Sequence, residues 1–188
     1  MQDKFVAAVQ SVIEPIIAVF GFTVSTSWKG HITYKSACVE LVFSYDSREE
    51  SNNVFISSSD FKKDSIAFND DILLNVFGGR YRIDDVPSET FVGQLAAFFK
   101  SEGSRLLSGD RNEFERLVQY SHKRNAAYMF ELQKIGFKAK ADHYWDRQDF
   151  ASFLKFADSV GLENLPGDYA LKYKIATKKA EKTNNKWL

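Results

Sequence analysis

Asp46 stands at the end of a β-prone run, and Asp60-Phe61-Lys62 follows it. An Asp followed by Asp-x-Lys is a residue set with which metal-dependent nucleases hold a divalent ion between carboxylates while the lysine orients a hydroxide. Here Asp60 falls in a polar loop rather than on an obvious partner strand, and in a chain with 25 acidic residues such spacing arises by chance. A Cys–His pair would be the other simple apparatus. The one cysteine, Cys38, sits among apolar residues that read as strand, where a cysteine acts as a small hydrophobe. The three histidines, His31, His122 and His143, are scattered. There is no HExxH, no CxxC, no GxGxxG, no GxxxxGK[ST] and no GxSxG. The sequence therefore designates no catalytic residue, no metal ligand and no cofactor.

Charge offers a second kind of chemistry. The chain is neutral, with 25 basic and 25 acidic residues, but the charges are unevenly placed. Residues 1–94 hold 8 Lys/Arg and 13 Asp/Glu, and residues 40–89 alone hold 5 and 11. The C-terminal half is correspondingly basic. Lys172, Lys174, Lys178, Lys179 and Lys182 lie on a final helix and tail, with Tyr169, Tyr173 and Trp187 nearby for base stacking. Asp168, Glu163 and Glu181 dilute that patch, and a pI near 6.8 is far from the basic footprint of a nucleic-acid binder. A nucleic-acid-binding or regulatory adaptor using this helix is one alternative reading. An enzyme with a dispersed site, such as a metal-dependent nuclease, is another.

The elements that must position these residues follow from hydrophobic period. Phe5, Val9, Ile13, Ile16, Ile17 and Phe20 have helical spacing, with Asp3 as a cap, a break near Glu14 at Pro15, and Gly21 closing the run. Phe22–Trp28 reads as a strand, then Ile32–Tyr45 as the clearest strand, with Val39, Leu41, Phe43 and Tyr45 on one face. A polar connection 46–52 leads to a strand over 53–57. Asp70-Asp71 starts a short helix, and Tyr81–Ile83 suggests a small strand. Helices then follow: one opened by Ser88-Glu89-Thr90, one from Arg111 to Ile135 stopped by Gly136, one capped by Asp146 or Asp149, and one from Gly167 to Lys179.

This order predicts an α+β fold: an N-terminal helix and antiparallel sheet followed by a helical C-terminal half. The expectation is one domain over 1–188, with helix plus strands to 87, helices over 88–181 and a frayed tail at 182–188. An internal boundary, if present, falls near 86–90. One cysteine rules out an intramolecular disulfide, and no stretch reads as a signal peptide or membrane span, so a cytoplasmic protein with no membrane partner is expected.

Several local features carry a resemblance. A helix ends in Phe20-Gly21-Phe22, a strand reaches Tyr34-Lys35-Ser36, and Val39–Tyr45 is closed by Asp46-x-Arg48-Glu49 before Val54-Phe55-Ile56. Later, Leu106-Leu107-Ser108-Gly109-Asp110 leads into Phe114-Glu115-x-Leu117. Over residues 15–118 this resembles bacterial immunity proteins of polymorphic and contact-dependent toxin systems. The resemblance implies a non-catalytic protein that binds and blocks a cognate protein toxin. Such toxins are frequently basic nucleases, so the implied contact surface is acidic: Asp46, Arg48, Glu49, Glu50, Asp70, Asp71, Asp84 and Asp85, all at loop positions of the β half.

Overall fold

A computed structural model describes residues 2–61, 65–165 and 167–184. The protein is α+β, in the order the sequence pattern predicts. It divides into two compact units, Met1–Lys123 and Arg124–Leu188. The division falls inside a long helix and not near 86–90.

The first unit opens with α1 (Gln2–Val12) and the short α2 (Glu14–Ile17). Pro15 occupies the first turn of α2, so the break lies where proline removes a donor. Asp3 is inside the first turn of α1 and does not cap it. Five strands follow: β1 (Thr23–Trp28), β2 (His31–Lys35), β3 (Val39–Asp46), β4 (Ser51–Ser58) and β5 (Ile66–Phe68). They form an antiparallel meander in chain order. Then come α3 (Asp70–Phe77), α4 (Ser88–Lys100), α5 (Ser104–Leu107) and the start of α6 (Arg111–Asp146).

The sheet keeps one apolar face. Ile32 and Tyr34 on β2, Leu41 and Phe43 on β3, Val54 and Ile56 on β4, and Ile66 and Phe68 on β5 are all buried. The register pairs Ile32 with Phe43 and Phe43 with Val54, so these side chains form continuous rows across the strands. α1 packs on β2, β3 and α4, with Phe5 against Tyr45 and Phe91 at ring-centroid distances of 5.9 and 6.2 Å. Phe68, Phe77 and Phe98 close the far side of the core. The Tyr34 hydroxyl reaches this interior with a partner, donating to Glu14 Oε2 at 3.0 Å. Burial first, and the Glu14 carboxylate second, push that phenol's pKa up.

Four local expectations change. The run 32–45 is two strands, because Ser36 makes a turn: its N–H and hydroxyl both meet Val39 O, and its Oγ accepts from Val39 N. Cys38 therefore lies in the β2–β3 connection and not mid-strand. It is half-buried against Gly109, where its Sγ leaves no room for a side chain and the left-handed φ of 77° also favours glycine. Tyr81–Ile83 forms no strand; the Ile83 N–H is bound instead by the Asp70 carboxylate. Helix α6 passes through Gly136 to Asp146, because a lone glycine costs only about 1 kcal/mol in a helix.

The second unit is helical: the remainder of α6, α7 (Phe150–Val160) and α8 (Asp168–Asn184). Asp149 caps α7 by accepting from Ser152 N at 3.1 Å. Phe153, Ala157, Leu165, Tyr169 and Ala176 pack with Ala141 as its core. Helix α8 runs on through 182–184, the first residues of the expected frayed tail, and 185–188 lie outside the described residues. No described helix is long and apolar enough to cross a membrane.

Candidate functional site

The eight surface residues singled out by sequence separate into two groups. The first group holds the fold. Asp46 closes the β3–β4 hairpin, its Oδ1 accepting the backbone N–H of Arg48 at 2.8 Å and of Glu49 at 3.4 Å. Asp70 accepts from Ile83 N at 2.6 Å, Asp84 N at 3.1 Å and Arg82 Nη1 at 3.1 Å. Asp84 returns the bond, its Oδ2 accepting from Asp70 N at 3.0 Å. Helix α3 is thus locked to the chain at 82–84, while Asn69 caps it through Ile72 N. Burial disfavours charge on Asp70, but the two N–H donors and Arg82 outweigh it and hold its carboxyl below the usual range. Asp71 accepts the Tyr120 hydroxyl at 3.0 Å and so ties α3 to α6.

The second group is unengaged. Arg48, Glu49, Glu50 and Asp85 are exposed and make no side-chain hydrogen bond or ion pair among the described residues. Glu50 and Asp85 share a further property: both are non-glycine residues with left-handed backbones, φ 51° and 53°. Each ends a tight turn, and each turn aims at the same place.

That place is a cleft of about 670 Å³ at one end of the sheet. Its floor is Phe5 and Ala8 of α1 with Tyr45 of β3. Glu50 lines it from the hairpin tip, and Asp85 and Glu89 line it from the segment entering α4. Among the described residues, Lys4 is the single basic one that lines it. Asn52 joins the two acidic segments. Its Nδ2 donates to Val86 O at 2.9 Å, and its Oδ1 accepts from the Ser88 hydroxyl at 2.7 Å. Ser88 consequently does not cap α4; Pro87 occupies that position.

No protein-family model, curated protein or solved structure matches this chain. Its chemistry is read from its own side chains. Among the described residues, the three carboxylates of Glu50, Asp85 and Glu89 around the Lys4 ammonium attract cations, and the half-buried Tyr45 ring lies among them. Arg48 lines a different groove, on the opposite face of the sheet with Trp28 and His31.

The other sequence candidates lie elsewhere. Asp46 and Asp60 sit at opposite ends of the eight-residue β4, and Lys62 lies outside the described residues. Among the described residues no three His, Cys, Asp or Glu side chains converge as a metal site. In the second unit, Lys172 donates to Asp142 at 2.7 Å, Tyr169 is buried and also donates to Asp142, and Tyr173 donates to Asp158. Lys179 lies 4.7 Å from the centroid of the Phe150 ring, and Lys174 and Lys178 are exposed.

Sequence reasoning missed Lys4, Asn52 and Glu89. Lys4 and Glu89 read as ordinary residues of helical first turns, and Asn52 as part of a polar connection. The Asn52 bridge to Val86 and Ser88 and the packing of α1 on β3 and α4 bring them together.

Proposed function

We propose that this protein acts by binding, and that the acidic end of its sheet engages a basic bacterial toxin and blocks it. One observation carries the reading: Glu50, Asp85 and Glu89, from two segments far apart in sequence, line one cleft with no partner among the described residues, and exposed Glu49 lies beside Glu50 at the hairpin tip. Their neighbours Asp46, Asp70 and Asp84 spend their carboxylates on turns and caps. Three carboxylates with only the Lys4 ammonium among them in the described lining leave a net negative charge, and a cationic partner relieves their repulsion. Such an arrangement speeds encounter with a basic protein and makes its rate sensitive to salt.

The toxin as partner class comes from the resemblance to immunity proteins. The residues that carry it, 15–118, fall within the unit Met1–Lys123, which also holds the cleft. The test is to combine the purified chain with the product of the toxin gene expected directly upstream. A stoichiometric complex in which the toxin is inactive supports the reading. A toxin that stays fully active with excess chain present overturns it.

A further inference from the structure

β1 is the free edge of the sheet. Its order in the meander gives it one neighbour, β2, and no other described strand lies beyond it. All six of its residues are exposed. No backbone hydrogen bond links 23–28 to any described segment other than β2. A strand so placed presents a row of backbone donors and acceptors that an extended chain satisfies.

Proteins blunt such edges with charge, proline, shortness or a bulge. The other edge, β5, is three residues long with Ile66 and Phe68 buried. β1 reads Thr-Val-Ser-Thr-Ser-Trp, with no charge and no proline. Its one irregularity is a register shift between Val24 and Thr26.

That shift sets the axis about which the edge matches itself. Directly opposite residues of an antiparallel pair share a face. Thr23, Thr26 and Trp28 oppose Lys35, Thr33 and His31, so they share the outer face; Trp28 stacks on His31 at 4.2 Å. Val24 and Ser27 oppose Tyr34 and Ile32, so they share the core side. A two-fold axis between Ser25 and Thr26 then pairs Trp28 with Thr23 of a second copy, both outer, and Ser27 with Val24, both on the core side. The faces match at both ends, and no charged residue of either edge meets its like.

We infer that β1 pairs antiparallel with β1 of a second copy of this chain, joining two five-stranded sheets into one. The inference stands apart from the toxin reading, because the cleft between α1 and the β3–β4 tip takes no part in it. A six-residue edge buries well under the roughly 1,200 Å² of a stable interface, so the dimer is weak and concentration-dependent.

Sedimentation velocity of the full chain, from micromolar to near-millimolar concentration, tests this together with hydrogen exchange at both ends of that range. The expected result is a monomer–dimer equilibrium in which the 23–28 amides gain protection as dimer forms. Thr26→Lys, an exposed outer-face change, should give a monomer at every concentration with an unaltered circular dichroism spectrum and melting temperature. Ser27→Lys, also exposed and paired with Val24 in the proposed dimer, serves as a second variant with the same expectation. A wild type that stays monomeric throughout overturns the inference. So does a dimer that leaves the 23–28 amides unprotected, or one that both folded variants still form.

Discussion

The Ser88 hydroxyl donates to Asn52 Oδ1 at 2.7 Å across 36 residues of sequence. The same amide donates to Val86 O at 2.9 Å. One half-buried side chain on β4 thus saturates two groups of the segment that enters α4. The consequence is electrostatic as well as structural, because Asp85 and Glu89 flank that segment and face Glu50 across the cleft.

Asn52→Ala removes both bonds and leaves Val86 O and the Ser88 hydroxyl without that partner. The expected cost is about 1–3 kcal/mol of unfolding free energy. Urea unfolding of the purified variant checks it. A change within experimental error would mean that Pro87 and the packing of α4 hold the segment without Asn52.

Charge reversal separates the two groups of acids. Glu49→Lys, Glu50→Lys and Asp85→Lys alter exposed residues with no partner among the described residues, so each should change stability by less than about 0.5 kcal/mol. Asp70→Lys breaks three hydrogen bonds and places a cation beside Arg82, so it should lower the melting temperature markedly. Thermal melts of the four variants decide this. Equal losses from all four would contradict the division.

Asp70 also sets a pH dependence. Its folded pKa lies below the ordinary value of 3.8, so its contribution is fully present above that value and is lost as pH falls through the lower folded pKa. Wild type and Asp70→Asn should differ most at neutral pH and converge under acid. The Glu102 carboxylate acts in the same direction. Hydrogen bonds from Ser101 and then Tyr81 draw it down to about 2. Stability measured from pH 7 to pH 2 checks the slope, and a wild-type curve parallel to that of the Asp70→Asn variant would exclude a role for Asp70.

Leu41 and Phe43 are fully buried, whereas Val42 between them is half-exposed on the other face. Leu41→Ala and Phe43→Ala should each cost about 2–5 kcal/mol, and Val42→Ala distinctly less. Denaturant titration gives the order, and its reversal would invert the sheet.

Much of this fold is legible in the sequence. The alternation Val39, Leu41, Phe43 reports a buried strand face, Pro15 the helix break, and Gly21 the left-handed end of the first helical stretch. What the pattern hides is local competition for backbone groups. Ser36 turns what reads as one strand into two. Asp70 takes the N–H of Ile83 and so removes a candidate strand at 81–83. Gly136 reads as a stop but lies within an unbroken helix.

The candidate site is half legible. Glu49, Glu50 and Asp85 stand out by charge and loop position. Sequence alone does not separate them from Asp70 and Asp84, whose carboxylates meet backbone N–H groups 13 and 14 residues away. Asn52 carries no signal of its role, because an amide bridging 36 residues has no local pattern.

The most direct test of the acidic end as a binding surface is the rate at which the chain associates with the proposed toxin partner. Stopped-flow mixing should show a rate that falls steeply as salt rises. The triple variant Glu49→Lys, Glu50→Lys, Asp85→Lys should associate about tenfold or more slowly at low salt while melting at the wild-type temperature. Equal rates for the two proteins, with no salt dependence in either, would contradict an acidic docking surface.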